Sequence, residues 1–421
     1  MRCIAASVRY VKSFLAIRRP TWYTWLVART GDQRRIRQGL WAEEHRFFAP
    51  TAPGLEALCA RELESLDVNG ITRTAGGVAF GARLDAAYRA NLWLRTADRV
   101  LVRLRDFRVH RWDSLVRQAA RVSWEAWLPA GGPLAVEVSL KRSNLKHRGR
   151  IAEVVREAIG ARLAEHGLAP PSSARRGDPL AHRLLVRGQG VRALISLDVT
   201  GEHLHRRGYR RAAGAAPLRE NLAAALLLHC GYHGGLPLLD GMCGAGTLAI
   251  EAALIARRLA PGRHREFALL RAPAHHQRTW IRQRREADAR ALPEAPAPIL
   301  AMDQRAAALR ATADNAERAG VDRDIGIARE DFLRAEPPEL DEPGLLVLNP
   351  PYGRRLGDPR QARRLLAAIG NRLQEAYPGW RCGAVVPRAA WVKLLGLRQE
   401  SRLVVPHGGQ RVILVCGEVP G

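Results

Sequence analysis

The sequence predicts an α/β protein: its second half is a doubly wound, mostly parallel sheet, and an α+β region precedes it. Three observations carry that prediction. Strand and helix signals alternate from about Pro217 onward, polar turns follow successive short apolar runs, and a less regular mixture occupies the residues before them. Alternation of this kind implies parallel strands joined by crossover helices. The expected division is residues 1–47, 48–205 and 206–421.

Residues 1–47 carry basic residues from Arg2 to Arg46 against only Asp32, Glu43 and Glu44. An Arg-rich, acid-poor stretch resembles a targeting peptide, but a poorly ordered extension, or a start placed too far upstream, accounts for it more simply. From Phe48 a folded pattern begins. Pro53–Leu66 places Leu55, Leu58 and Leu63 on one side of a helix. Strands are expected at Gly77–Phe80, Val100–Leu104, Leu134–Leu140, Leu184–Val186 and Ala193–Val199, with a helix over Ile151–His166. In the second half the predicted order is strand Leu236–Asp240, helix Thr247–Leu259 and a polar insertion over Ala260–Pro296. Then follow strand Ile299–Asp303, helix Gln304–Ala319, strands Ile325–Ala328 and Gly344–Leu348, helix Arg360–Ala376 and strand Arg381–Val386.

The formal net charge is +26, and only four of the 67 basic residues are lysine. Such a field favours polyanions, because neutralised phosphates release condensed counterions. Arginine suits them further, since its planar fork takes two oxygens at once and stacks on bases. Part of the arginine and alanine excess is also what a GC-rich genome produces. One basic cluster joins Lys141, Arg142, Lys146, Arg148 and Arg150; another joins Arg206, Arg207, Arg210 and Arg211. The cysteines (Cys3, Cys59, Cys230, Cys243, Cys382, Cys416) are scattered without a CxxC pair, which argues against a disulfide framework and a structural zinc site. No apolar run reaches the length of about 18 residues that a membrane span needs, so a reducing cytoplasm is the expected compartment.

Four elements carry chemistry, each at a strand end, where ligands of doubly wound sheets sit. Asp240-Gly241-Met242-Cys243-Gly244-Ala245-Gly246-Thr247 follows the first strand. Its glycines let the backbone turn with positive φ, and the next helix offers free N–H groups. An acid ahead of G-x-x-G-x-G suits a cationic ligand amine better than a pyrophosphate. Asp303 can accept from both hydroxyls of a ribose, or cap a helix. Asp331, in Glu330-Asp331-Phe332, can receive an adenine amino group. The decisive element is Asn349-Pro350-Pro351-Tyr352-Gly353. Two prolines remove two backbone donors, so the Asn349 side-chain oxygen and the Pro350 carbonyl can take the two hydrogens of an exocyclic amine. Tyr352 offers a face on which a base stacks.

With these residues the chain resembles the class I S-adenosylmethionine-dependent methyltransferases, which have a Rossmann-like sheet. Within them it is similar to the THUMP-domain RNA guanine-N2 methyltransferases, those acting on large-subunit (23S) ribosomal RNA in particular. Its most specific stretches are Gly201-Glu202-His203-Leu204-His205-Arg206-Arg207-Gly208-Tyr209-Arg210 and Ala216-Pro217-Leu218-Arg219-Glu220-Asn221-Leu222-Ala223-Ala224. The resemblance implies that Asp240, Gly244 and Gly246, with Cys243 between them, surround the methionine part of the cofactor. It places Asp303 on the ribose and Asp331 on the adenine, and sets Asn349, Pro350 and Tyr352 on the target guanine. Asn221 is implied near the cofactor as well. The residues before this region would be a ferredoxin-like piece and a THUMP domain that docks RNA, either free or in a ribosomal precursor particle. The basic residues Lys141, Arg142, Lys146, Arg148, Arg206, Arg207 and Arg210 fit an RNA route into the site. Some relatives carry a second methyltransferase domain after the first; this sequence runs to Gly421 with one. No metal is required. Methylation of a tRNA guanine, methylation of adenine N6 in DNA, and a noncatalytic ribosome-assembly role are the competing readings.

Overall fold

A computed structural model describes residues 35–175, 177–210, 218–351 and 358–421. Among the described residues fifteen strands form two sheets. The first sheet contains β1 (Glu44–Pro50), β2 (Asn69–Thr74), β3 (Gly77–Arg83), β4 (Leu101–Arg108), β5 (Pro133–Lys141), β6 (Ser172–Ser173), β7 (His182–Gln189) and β8 (Arg192–Asp198), in the order β2-β3-β1-β4-β8-β7-β5-β6. The second contains β9 (Leu238–Asp240), β10 (Ile299–Met302), β11 (Ile325–Ala328), β12 (Leu345–Leu348), β13 (Arg381–Val386), β14 (Arg398–His407) and β15 (Gln410–Glu418), in the order β11-β10-β9-β12-β13-β15-β14.

In the first sheet β4 pairs antiparallel with both β1 and β8, so one continuous sheet runs through the whole α+β region. The fully buried Phe47 stacks on Phe80 at 5.2 Å between ring centres, and Trp124 and Trp127 fill the same core. The expected boundary at residue 47 therefore moves. Strand β1 begins at Glu44, and the helical residues 35–42 pack Ile36, Leu40 and Trp41 against the core. The Trp41 indole N–H donates to the Ala274 carbonyl at 3.0 Å. Arginine-rich flanks had disguised these apolar anchors; residues 1–34 lie outside the described part.

The second sheet is parallel from β11 through β13, as the alternation predicts, and ends in the antiparallel strands β15 and β14. Strands β9 and β12 are buried throughout, which is what crossover helices on both faces require. The polar insertion contains a helix, Gln277–Ala289, that buries Trp280, Gln283 and Ala287. Among the described residues no helix is long and apolar enough to cross a membrane.

The two sheets meet at a buried ionic joint. Arg207, 3% exposed, donates to Glu251 on the helix Thr247–Ala256 at 3.3 and 3.4 Å and to the carbonyls of Leu204 and Arg95 at 2.8 Å. Arg95 reciprocates, donating to the carbonyls of Leu254 and Leu259 at 3.2 and 2.8 Å. Removing one partner of such a pair strands the other's charge in the interior. Glu251→Ala is therefore expected to lower stability by about 3–5 kcal/mol in urea unfolding. Arg206→Ala, which removes an exposed pair with Glu202, should cost less than about 1 kcal/mol.

Candidate active site

The order of the second sheet reverses at β9, with β10 on one side and β12 on the other, and a crevice at this point is where doubly wound sheets bind ligands. Register places Asp240 opposite Ala301 of β10 and Val347 of β12. Asp303 and Asn349 each lie two residues further along, so all three reach the same carboxyl edge. The turn after β9 is stitched to both neighbours: the Gly241 N–H donates to the Val347 carbonyl at 3.1 Å and the Cys243 N–H to the Met302 carbonyl at 2.9 Å.

Sequence chemistry explains the turn. Gly246 has φ +79°, and a Cβ there would lie 2.7 Å from Thr312 Cγ2; at Gly241 it would lie 2.6 Å from the Phe332 ring. Behind the turn, Thr312 Oγ1 donates to the Gly244 carbonyl at 3.1 Å and Asn315 Nδ2 to the Ala245 carbonyl at 3.0 Å. Sequence reading missed both supports, although their spacing of three on one helix was visible. Cys243 is buried with its Sγ 3.6 Å from Thr312 Oγ1. Burial, reinforced by Asp240, pushes its thiol well above the ordinary range, so it lines the turn rather than acting as a nucleophile.

Asp240 is fully buried. Its Oδ2 accepts the Ala249 N–H at 3.3 Å, satisfying one donor of the helix N-terminus, while its Oδ1 has no hydrogen-bond partner among the described residues. Burial raises its pKa to about 7; the Ala249 and Met242 amides oppose the rise and Asp303 adds to it. Asp303, 8% exposed, accepts the Gly244 N–H at 3.1 Å and the Arg305 backbone N–H at 2.9 Å. The Arg305 guanidinium also covers both of its oxygens, at 3.1 and 3.3 Å, from a side chain that is 69% exposed. That competitor for a ribose was not foreseen. Asp331 is half-buried and its Oδ1 accepts the Leu333 N–H at 3.1 Å. The neighbouring Phe332 is buried against Tyr377, ring centres 5.5 Å apart, and backs Gly241.

Asn349 follows β12 directly. Its Oδ1 is buried and has no hydrogen-bond partner among the described residues, and Pro350 beside it is buried too; Tyr352 lies outside the described residues. A buried acceptor left unpaired costs about 1–3 kcal/mol and calls for a donor from elsewhere. The edge thus gathers Asp240, Cys243, Gly244, Gly246, Asp303 and Asn349, with Asp331 at the end of β11. Its acidic, acceptor-rich donor set and its two unpaired oxygens fit a ligand with a cationic amine, a diol and an exocyclic amino group. Asn221 is placed differently: its Nδ2 donates to Asp98 at 3.0 Å.

Of the basic residues, Lys141 at the end of β5 and Arg142, Lys146 and Arg148 after it are exposed, and Arg206 is exposed in a pair with Glu202. Arg207 and Arg210 are not surface groups. Arg207 is consumed by Glu251, and Arg210 donates to Thr247 Oγ1 at 2.5 Å and to the Leu218 carbonyl at 3.1 Å, with Glu220 at 3.5 Å. The Arg207 guanidinium is engaged throughout in the interior, and the terminal nitrogens of Arg210 are committed to Thr247, Leu218 and Glu220 while its Nε is buried, so neither presents the surface contact to RNA expected of it. Arg211 lies outside the described residues.

Comparison with known proteins places the chain. Residues 46–101 match the RlmL ferredoxin-like domain and residues 207–410 the RMKL-like methyltransferase domain. Ribosomal RNA large subunit methyltransferase K/L of Syntrophotalea carbinolica is 38% identical over 378 residues, covering 86% of this chain and 52% of that protein. The same-named protein of Methylococcus capsulatus is 38% identical over 365 residues, 84% of this chain and 48% of that one. The chain spans about half the length of the curated relatives it matches. Among solved structures, SMU.472, a putative methyltransferase complexed with SAH, superposes with a TM-score of 0.80 at 25% identity, covering 90% of this chain and 99% of that one. A predicted N6-adenine-specific DNA methylase from Listeria monocytogenes superposes with 0.79 at 29% identity, covering 91% and 98%. The matched domains, the sheet order and these neighbours agree: the chain belongs to the class I methyltransferases in which an RlmL ferredoxin-like domain precedes an RMKL-like methyltransferase domain.

Proposed function

We propose that this chain methylates the exocyclic N2 of a guanine in RNA, with S-adenosylmethionine as methyl donor and large-subunit (23S) ribosomal RNA as substrate in the cytoplasm. The observation that carries the reading is the unpaired, buried Oδ1 of Asn349 at the switch point, one strand from the unpaired Oδ1 of Asp240. When bound, S-adenosylmethionine supplies an electrophilic methyl group. Asp240, Gly244 and Gly246 hold its amino-acid part, Asp303 its ribose and Asp331 its adenine. Asn349 accepts one hydrogen of the target amine, and the Pro350 carbonyl the other. The guanine N2 lone pair is delocalised into the ring, and these two bonds return density to nitrogen while fixing its direction. Catalysis by the chain is then mainly orientation. A pocket of this kind takes an unstacked base, which favours single-stranded or loop RNA. The exposed Lys141, Arg142, Lys146, Arg148 and Arg206 supply phosphate contacts.

Labelled cofactor and undermethylated total RNA test the reading, with the product digested to nucleosides. N2-methylguanosine in large-subunit RNA is expected, and Asn349→Ala should lower kcat by about 100-fold or more with cofactor affinity near wild type. Label in tRNA, label as N6-methyladenine, or no transfer despite intact RNA binding would each replace it with one of the competing readings.

Two binding predictions follow from the carboxylates. Asp240 is held neutral up to about pH 7, and its raised folded pKa contributes stability below the unfolded value of about 3.9 that is lost as pH rises through 7. A ligand ammonium requires the ionised form, so cofactor affinity should increase between pH 6 and 8 with release of a proton. Calorimetry in buffers of different ionisation enthalpy reads that proton, and Asp240→Asn should abolish it. Arg305→Ala uncovers Asp303 and should tighten cofactor binding by up to about fivefold, the equivalent of ~1 kcal/mol for so exposed a pair; unchanged or weaker binding would show that Arg305 does not compete.

A further inference from the structure

Away from the carboxyl edge of the second sheet, Asp98, His203 and His205 bring one ligand atom each to within 4.8 Å of one another. Asp98 sits between the helix Ala86–Trp93 and β4; the histidines lie in the segment after β8. The backbone sets this meeting. The Leu204 N–H donates to the Asp98 carbonyl at 2.8 Å, and Leu204 itself is buried, so the histidines on either side of it flank Asp98. Their rings lie 5.3 Å apart at 30°. The Nδ1 atoms of both are buried and have no hydrogen-bond partner. Each ring therefore has a buried nitrogen that no group among the described residues occupies. Neither takes part in the proposed methyl transfer.

We propose that Asp98, His203 and His205 form a site for a divalent transition metal of the zinc class. Two imidazoles and one carboxylate are a donor set that such ions prefer, and three protein ligands leave a position open. Asp98 and His203 also line a cleft of about 260 Å³ together with Glu137, Arg183 and Arg187. The positive surroundings do not forbid a cation. Arg99 is paired with Asp198, Arg183 with Glu137 and Arg206 with Glu202, leaving the exposed Arg187 and Arg219 unneutralised by an ion pair among the described residues. The ion would stiffen the joint, because Asp98 also receives Asn221 Nδ2 at 3.0 Å from the first turn of the helix Glu220–His229.

The test uses the full chain stripped with chelator and titrated with Zn²⁺, and with Co²⁺ for its visible spectrum. One metal per chain is expected, with a Co²⁺ spectrum of nitrogen and oxygen ligation and a raised unfolding midpoint. His203→Gln and His205→Gln should lose the stoichiometric ion and the gain in midpoint. Asp98→Asn keeps an acceptor for Asn221 while removing the anionic ligand, so it reports on the metal where a histidine variant fails to fold. A wild type that takes up no stoichiometric metal, variants that retain it, or a thiolate charge-transfer band assigning the ion to cysteine would overturn the proposal.

Discussion

The arrangement of the whole molecule turns on Arg207 and Glu251. The helix Thr247–Ala256 follows the glycine turn directly, and all ten of its residues are buried. A carboxylate at its centre is tolerable only if an opposite charge is delivered to it and every remaining donor is used. Arg207 does this from the segment that joins the two sheets, and it spends its other donors on the Leu204 and Arg95 carbonyls. Arg95 crosses in the opposite direction to the Leu254 carbonyl in the last turn of the helix and the Leu259 carbonyl just beyond it. Its backbone N–H, with that of Thr96, is taken by Glu62 at 2.7 and 3.0 Å. Charges on three segments are thus satisfied only together, so the helix cannot shift without unpairing the α+β region from the sheet behind it.

That rigidity is what the site draws on. The same helix presents its N-terminal amides beneath the turn, where Asp240 takes one of them, and the turn is held from behind by Thr312 and Asn315 on the helix Ala306–Ala319. Asp303 then ties the end of β10 to Gly244. Each contact is single and modest, about 0.5–1.5 kcal/mol net. Their common effect is geometric: three strand ends and one helix start are kept in register.

What the sequence made legible was set by burial. Strands β9, β10, β12 and β13 lie inside two helical layers, so their apolar runs are unbroken and the sequence alone put Asp240, Asp303 and Asn349 at or just beyond their carboxyl ends. The edge hairpin β14–β15 escaped because β14 alternates with charged, exposed residues, although Gly408 and Gly409, both at positive φ, are a two-residue hairpin signal. The helix Gln277–Ala289 escaped because a surface helix buries only a narrow stripe. Charge runs were the least readable. In Arg206-Arg207-Gly208-Tyr209, positions 207 and 209 are buried while 206 and 208 are exposed; the alternation is marked only by Tyr209, and a guanidinium carries the same formal charge whether it faces a phosphate or Glu251.

The unpaired oxygens of Asp240 and Asn349 show how such an edge stays receptive. A buried acceptor ordinarily finds a backbone N–H nearby, and here several of the candidates are absent or engaged elsewhere. Pro350 and Pro351 have no N–H to offer Asn349. The amides of Gly241 and Cys243 are already drawn to β12 and β10, which leaves Asp240 Oδ1 without those donors. The bond that Asn349 might make internally has been taken away by the same prolines that shape its turn. The residual cost falls on the unliganded protein and is relieved when donors arrive with a ligand. Binding should therefore stabilise this half of the chain in proportion to the hydrogens a ligand brings, and a base without an exocyclic amine would leave the Asn349 oxygen as unsatisfied as before.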